Sequence, residues 1–412
     1  MIYKRKIVDK INKFINSKEV LVLHGARQVG KTSLMFYLIE ELKKRQDDNI
    51  FYFDLEISRF LELANAGHDE FFNYLAATGY DKNKKAFVFL DEIQYLDDPS
   101  KFLKLFHDNY GGKIKLIASG SSSFEIKRKF KNSLVGRTVN FEIWPLSFEE
   151  FLIFKNKKYD ISAGNLPEAV NEELKKLYKE YVIFGAYPQI VLENDIFKKE
   201  VYLNQIISAY IKKDIRDLAR IKDISKFNKL IEILAAQTGN LINILELSGT
   251  AGLARQTVEE YLFLLENTYI IKLVKPFYRN LRSELFKTPK IYFIDHGLAN
   301  LLTFKNFPRA IAGNIFETAV FSDLLKKYGA DNIHFWRTSA KQEIDFIVNK
   351  NKTIWPIEAK INAGSFKSAA MDYFVKEYKI KNRNLVFLEG KRKNNKSDQI
   401  KDKIIYSYPW EI

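Results

Sequence analysis

Lys31 and Thr32 close the stretch VLVLHGARQVGKT, residues 20–32, where Gly25 and Gly30 frame a loop with the spacing G-x-x-x-x-G-K-T. A polyphosphate needs several donors at short range and no bulky Cβ in the way. Gly25 and Gly30 let the backbone N–H groups of Ala26, Arg27, Gln28, Val29 and Ser33 wrap such a group. The helix that opens near Lys31 adds its positive dipole end. Lys31 then reaches the β and γ phosphates, and Thr32 offers its hydroxyl to Mg²⁺. The flanks suit this chemistry. Val20–Leu23 is an apolar run fit for a strand buried on both faces, and Ser33–Lys44 follows with helical periodicity.

A second group of residues depends on the first. Ala86–Glu92 (AFVFLDE) is an apolar strand ending in two adjacent acids. A buried strand rarely carries acids unless they serve a ligand. Beside a phosphate loop, Asp91 holds Mg²⁺ through Thr32 or water, and Glu92 orients and polarises the attacking water. Lys113–Ser123 (KIKLIASGSSS) repeats the pattern, with Ser119 either a sensor of the γ phosphate or part of a plain strand-to-turn junction. Ile50–Leu55 reads as a further strand. Glu56 and Arg59 at its end either face the nucleotide or form a surface pair. In Leu134-Val135-Gly136-Arg137, the arginine is either a surface charge or an arginine finger, in its own site or a neighbour's. Such a finger is worth ~10³ to 10⁵ in rate. Guanine-specific loops carry N-K-x-D. The one match, Asn395–Asp398, lies in a basic tract with no strand ahead of it, so the expected nucleotide is ATP.

These residues need elements that bring them together. Strands alternating with helices imply a mostly parallel sheet with ligand at its C-terminal edge. A helix is expected over Lys4–Asn16 ahead of it. The chain of 412 residues, 46% hydrophobic and 14% aromatic, is long enough for two to four domains with real cores. With 66 basic residues against 51 acidic, the net charge of +15 suits an anionic partner, most readily DNA, or a solvated lysine-rich surface. No cysteine is present, which excludes disulfides and cysteine-based zinc sites, and the five histidines show no metal-ligand spacing. The N-terminus lacks the apolar core of a signal peptide, and no apolar run is long enough to span a bilayer. The expected setting is cytoplasmic, without a membrane partner.

From Phe148 the pattern turns helical and is broken at Gly185-Ala186-Tyr187-Pro188. A helix over Tyr202–Ile221 carries Lys212, Lys213, Asp214 and Arg216. Helices at Phe227–Ala236, Ile242–Ser248 and Ala254–Glu266, a turn at Gly249–Gly252 and a strand at Tyr269–Val274 describe a winged helix-turn-helix. Arg255, Gln256 and Thr257 open its third helix, where contacts to DNA would arise. The alternative is a module for packing or protein contact.

Farther on, strands are expected at Lys290–Asp295, Ile333–Arg337, Glu343–Val348 and Thr353–Lys360, with a helix over Gly313–Tyr328. Asp345 sits among apolar neighbours, and Glu358-Ala359-Lys360 places Glu358 and Lys360 on one face of the next strand. Asp345 and Glu358 would share a divalent metal, with Glu317 completing the acidic set. Lys360 would polarise a scissile phosphate. A buried ion-pair cluster without chemistry explains the same residues. The basic tail Lys379–Lys403, around a strand at Asn384–Leu388, could lie along nucleic acid.

The chain resembles a family of prokaryotic AAA-type P-loop ATPases carrying a C-terminal domain of unknown function, itself similar to restriction-endonuclease-like (PD-(D/E)xK) folds. The resemblance runs over nearly the whole length. It rests on HGARQVGKTSL, VFLDEIQ, LIASGSSS, LVGR, WPLSFEEF, GAYPQIV, KIYFIDHGL, GNIFETAV, RTSAKQEIDFIV and PIEAK. It implies that Lys31, Thr32, Asp91 and Glu92 serve the nucleotide and that Arg137 is the family's arginine. Glu317, Asp345, Glu358 and Lys360 would form the nuclease-like cluster, with a second Mg²⁺ or Mn²⁺. Ser119 departs from a more usual Thr and keeps the hydroxyl.

The expected fold is α/β and multidomain. It comprises a P-loop ATPase domain (1–147), a helical lid or linker (148–222), a winged helix-turn-helix (223–280) and a restriction-endonuclease-like domain (281–412). Two functional readings follow. In one, ATP hydrolysis is coupled to DNA binding and nucleic-acid processing. In the other, the protein is a nucleotide-controlled switch that grips DNA or a protein without cleavage. Both admit a homo-oligomer.

Overall fold

The computed structural model describes residues 3–120, 134–161, 166–209, 223–278, 288–390 and 404–412. The chain forms two compact units: Met1–Trp144 with Asn267–Tyr269, and Pro145–Glu266 with Ile270–Ile412. Residues 121–123, the part of the Tyr202–Ile221 helix that carries Lys212, Lys213, Asp214 and Arg216, and the tail with Asn395–Asp398 lie outside the described residues.

The first unit is built on a five-stranded sheet of β1 (Val20–Gly25), β2 (Ile50–Asp54), β3 (Ala86–Asp91), β4 (Ile114–Gly120) and β5 (Thr138–Ile143). The spatial order is β2-β3-β4-β1-β5, all parallel. Every residue of β1, β3 and β4 is buried, as their unbroken apolar runs require of a sheet covered on both faces. The expected N-terminal helix over Lys4–Asn16 is shorter, α1 (Ile7–Ile11), because turns replace helix from Asn12 onward.

The phosphate loop runs into α2 (Lys31–Lys44), which buries Leu34, Met35, Leu38 and Leu42. Three helices not anticipated from sequence follow: α3 (Ser58–Asn65), α4 (His68–Ala77) and α5 (Pro99–Tyr110), the last capped by Asp98. They close over an aromatic core centred on Phe71. Its ring meets Phe53, Phe102 and Phe106 edge-on at 4.8, 5.5 and 6.0 Å between centroids.

The second unit starts with α6 (Phe148–Phe154), α7 (Glu168–Phe184), α8 (Pro188–Leu192) and α9 (Ile196–Ala209). Three helices follow, α10 (Ile224–Ala236), α11 (Ile244–Ala251) and α12 (Arg255–Asn267), and then β6 (Ile271–Val274). The turn expected at Gly249–Gly252 is mostly helix, because α11 runs to Ala251 before Gly252 ends it at φ +66. β6 pairs antiparallel with β7 (Lys290–Phe293). Lys290–Phe293 completes the sheet begun by Ile271–Val274.

α13 (His296–Phe304) and α14 (Gly313–Tyr328) lead into β8 (Ile333–Arg337), β9 (Glu343–Lys350), β10 (Thr353–Asn362), α15 (Ala369–Tyr378), β11 (Arg383–Glu389) and β12 (Ile404–Ser407). These strands form a mixed sheet, β12-β11-β10-β9-β8, antiparallel at β8–β9–β10 and parallel at β10–β11–β12. Among the described residues no helix is long and apolar enough to cross a membrane.

The motifs GAYP and DHG meet in this unit. Gly185 has φ +90, and a Cβ there would stand 2.5 Å from the Asp295 carboxylate. A Cβ on Gly297 would meet the Phe184 carbonyl at 2.2 Å. Asp295 is buried and accepts from the amides of Ala186 (2.7 Å) and Leu298 (2.8 Å), tying the end of α7 to the start of α13. Beside it, Asp323 accepts from the hydroxyls of Tyr178 and Tyr181. His296 is fully buried. Its Nδ1 lies 3.1 Å from the Val182 carbonyl, so the neutral ring donates there. Burial, with the Lys326 ammonium nearby, pushes its pKa down to about 3.

The unfolded state therefore takes a proton on this ring near pH 6.5 while the folded state refuses it down to about 3. His296 thus costs stability progressively as pH falls through that window. Urea midpoints measured from pH 8 to 4 should show the wild type losing ground to His296→Asn below about pH 6.5. The Asp295 and Asp323 terms, common to both proteins, cancel. Parallel curves would refute the assignment.

Candidate functional site

The C-terminal edge of the first sheet brings the nucleotide candidates together. Gly25 ends β1, Asp91 ends β3, and Ser119 sits beside Leu23 at the end of β4. Only glycine fits at position 25, where a Cβ would stand 2.1 Å from the Ile143 carbonyl. Gly30 takes φ +91 and turns the chain into α2, while Gln28 adopts φ +58 without being glycine. Ala26 and Val29 are buried and anchor the loop. Gln28 and Ser33 are exposed, and Arg27 is half-buried. The Lys31 ammonium reaches the carbonyls of Gly25 (3.1 Å) and Ala26 (2.7 Å), which holds it in the cup of the loop.

Asp91 binds these parts to one another. Its Oδ2 accepts from Thr32 Oγ1 at 2.7 Å and from the Tyr52 hydroxyl at 3.0 Å. Its Oδ1 accepts from Ser119 Oγ and from the Glu92 amide at 3.2 Å. Burial and the negative charge of Asp91 hold the Tyr52 hydroxyl far above its usual pKa, so it stays a donor. Glu92 takes φ +57, and its carboxylate accepts from Gln94 Nε2. A hydroxyl and a carboxylate oxygen, adjacent at a helix N-terminus, are the donor set that Mg²⁺ favours.

Arg137 is not part of this arrangement. Its carbonyl accepts from the Val20 amide, and the next residue, Thr138, pairs with Val20, five residues before Gly25. In a parallel sheet that is the opposite edge, roughly 17 Å from the loop at about 3.3 Å per residue. Arg137 thus starts from the edge of the sheet away from the loop. Arg137 Nε instead bonds Asp108 Oδ1 at 2.7 Å. Arg137 and His107 together hold that carboxyl down at about 2.

The second unit gathers the other predicted set. Asp345 on β9, Glu358 and Lys360 on β10 and Glu317 on α14 face one another. Lys360 Nζ lies 2.8 Å from Asp345 Oδ2 and 2.6 Å from Glu358 Oε2, and the Ala359 amide donates to Asp345 at 2.9 Å. Lys290 on β7, not anticipated, is almost fully buried. It lies 3.3 Å from Glu317 Oε1 and 2.6 Å from Glu343 Oε1. Tyr292, also on β7, donates to Glu317 at 2.5 Å. Arg337 reaches Glu343 at 3.0 Å.

Four carboxylates thus meet three cations, a net charge of −1 if all are ionised. Burial, with Asp345 adjacent, pushes Glu358 up to about 9 and Glu317 up to about 7. Burial also opposes the charge on Asp345, but Lys360 and Lys290 outweigh it and keep that carboxyl below its usual range. Lys290 stays charged despite its burial, because Glu317, Asp345 and Glu343 surround it.

Among the described residues no group of three or more His, Cys, Asp or Glu is placed to hold a metal ion. The two lysine ammonium groups stand among the carboxylates and supply the compensating charge.

Arg255, Gln256 and Thr257 open α12 as expected. Arg255 and Gln256 are exposed and bond Glu259 (3.2 Å) and Glu260 (3.3 Å) one turn on. Tyr52, Gln94, Lys290, Tyr292 and Glu343 escaped the sequence reading. Only a lysine opening the apolar strand KIYF hinted at a buried charge.

Comparison with known proteins accords with the first unit. Residues 17–152 match the family model of an AAA domain. Residues 175–331 match one domain of unknown function (DUF8612) and residues 312–408 another (DUF4143). An uncharacterized protein of Methanocaldococcus jannaschii is 28% identical over 394 residues, covering 93% of this chain and 85% of its own. One from Haemophilus influenzae is 26% identical over 358 residues, covering 85% and 84%. One from Mycobacterium tuberculosis is 20% identical over 365 residues, covering 87% and 74%. A solved structure of C. elegans PCH-2 overlaps 63% of this chain and 70% of its own at 14% identity, with a TM-score of 0.36, too low to carry weight. The parallel sheet, its loop and the AAA match make the first unit AAA-type and P-loop ATPase-like in fold.

Removing one cation from a buried network leaves uncompensated charge, at about 3–5 kcal/mol. Lys290→Met should therefore destabilise the second unit by roughly that amount at pH 7, measured by urea denaturation. A loss under about 1 kcal/mol would mean that Lys290 is not the counter-ion of Glu317 and Glu343.

Proposed function

We propose that this protein binds and hydrolyses ATP with Mg²⁺, and that its nucleotide state governs its grip on DNA. The hydrogen bond from Thr32 to Asp91 beneath the cupped Lys31 carries the first part. Lys31 and the amides from Ala26 to Ser33 bind the β and γ phosphates. Thr32 and Asp91 would hold the metal, whose charge would neutralise that developing on the phosphates. Ser119 faces the γ position through Asp91. Glu92, freed from Gln94, orients the attacking water. Arg137, paired with Asp108, is either a surface charge or a finger for a neighbouring copy in a homo-oligomer.

The DNA part rests on the net charge of +15 and on the order of three helices followed by an antiparallel pair, read as a winged helix-turn-helix. Arg255, Gln256 and Thr257 at the exposed start of α12 make the contacts. The C-terminal sheet carries the residue types of restriction-endonuclease-like domains. Its lysine-compensated carboxylates favour the second reading, in which this domain grips nucleic acid or a protein partner without cutting.

ATP turnover by Lys31→Ala should fall about 100-fold or more, because the phosphates lose their principal cation. Turnover within about threefold of wild type would overturn the phosphate-loop assignment. Plasmid incubated with Mg²⁺ or Mn²⁺ should stay intact with wild type, Asp345→Ala and Lys360→Ala alike. Nicking by wild type that both variants abolish would establish the nuclease reading instead.

A further inference from the structure

The first unit includes three residues from far along the chain. Asn267–Tyr269 packs with the first unit, while Glu266 before it and Ile270 after it belong to the second. Tyr269 is 5% exposed and takes φ +63, a left-handed backbone that an aromatic residue adopts only when its surroundings enforce it. Its hydroxyl lies 2.5 Å from His24 Nδ1, and the two rings stack at 6.1 Å. The Trp144 ring meets it edge-on at 5.2 Å.

Both neighbours lead to the loop. His24 directly precedes Gly25, where the loop begins. Trp144 offers its carbonyl to Arg5 Nη2 at 2.8 Å, and Arg5 Nη1 donates to the Val29 carbonyl at 2.9 Å, where the loop ends. His24 and Arg5 are themselves buried, 7% and 6% exposed. Tyr269 thus stands at the junction of two contact lines, one to each end of the segment that would wrap the phosphates. Close-packed contacts of this kind transmit displacements of a few tenths of an ångström, because there is no slack to absorb them. On its other side Tyr269 is two residues from Asn267, the last residue of α12.

We infer that Tyr269 is a positioning residue that couples the state of the phosphate loop to α12, the helix whose first turn holds Arg255, Gln256 and Thr257. The inference rests on the phosphate-loop reading above. Coupling of this kind is reciprocal: what nucleotide does to α12, a ligand on α12 does to nucleotide affinity.

The test uses the full chain with Mg²⁺ and a non-hydrolysable ATP analogue. Binding is followed separately with a fluorescent ATP derivative. In wild type the analogue should slow amide hydrogen exchange in 255–267 by about fivefold or more. Tyr269→Phe keeps the ring and its packing on Trp144 but loses the bond to His24. It should bind the fluorescent nucleotide and lose most of that response, and His24→Gln should lose it too. A nucleotide response absent from wild type, or persisting in both variants, would overturn the coupling. A role in stability alone would lower the unfolding midpoint and leave the response in place, which also overturns it. Failure of wild type to bind the fluorescent nucleotide would sink the phosphate-loop reading itself, and the coupling with it.

Discussion

The carboxylate of Asp91 holds the first unit's chemistry in one place. It ends one strand and accepts hydrogen bonds from Thr32 at the helix N-terminus, Tyr52 on β2 and Ser119 on β4. With the Glu92 amide, four donors on one carboxylate fix its orientation. The loop, three strand ends and α2 therefore share a single electrostatic anchor. Replacing any donor would loosen the geometry without removing a group that touches phosphate. The parallel sheet makes this convergence available, because parallel strands present all their C-terminal ends on one edge. The same rule puts Arg137 on the far edge, where it pairs with Asp108 instead.

The second unit solves a different problem with the same physics. Its helices and strands are joined through buried acids whose partners come from distant parts of the chain. Asp295 is satisfied by amides, Asp323 by two tyrosines, and the Glu317–Asp345–Glu358 group by lysines. A buried carboxylate left alone would take up a proton or unfold its surroundings. Lys290 ties β7 to α14 and β9, so the short β6–β7 sheet and the larger mixed sheet are fastened through charge as well as apolar contact. Such a network fixes which elements meet more strongly than it stabilises the fold, because desolvation offsets most of the Coulomb gain.

Local signals in the sequence were enough for the loop and its acids. Gly25 and Gly30 have the spacing expected of a phosphate-wrapping turn, and AFVFLD ends where the strand does. The Glu-x-Lys spacing placed Glu358 and Lys360 on one face of β10 by the two-residue period of a strand. What stayed hidden depends on register and on partners far away in sequence. Nothing local says that Arg137 directly precedes β5, whose first residue pairs with Val20, or that β4 separates β1 from β3. Lys290 reads as the first residue of an apolar strand, and its burial against Glu317 and Glu343 follows only from pairing with β6. Helices α3, α4 and α5 do carry apolar residues at helical spacing, a local signal that went unread, and their aromatic rings pack around Phe71. The basic segment Lys4–Asn16 has helical spacing, yet only Ile7–Ile11 is helical, because so short a segment needs packing on both sides to pay for its ordering.

The distribution of strain sharpens the view of the loop. Gln28 within it, Glu92 beside its anchor and Tyr269 behind His24 all hold left-handed backbones without being glycine. Each costs on the order of 1–3 kcal/mol, which the surrounding contacts must offset. Glu92 is held by its amide on Asp91 and by Gln94, and Tyr269 by His24 and Trp144. The contacts that offset the strain are therefore the same ones that set the loop's shape. A structure arranged this way resists small, gradual deformation. It changes by exchanging one set of contacts for another, and that makes a phosphate-sized rearrangement at the loop detectable at Tyr269.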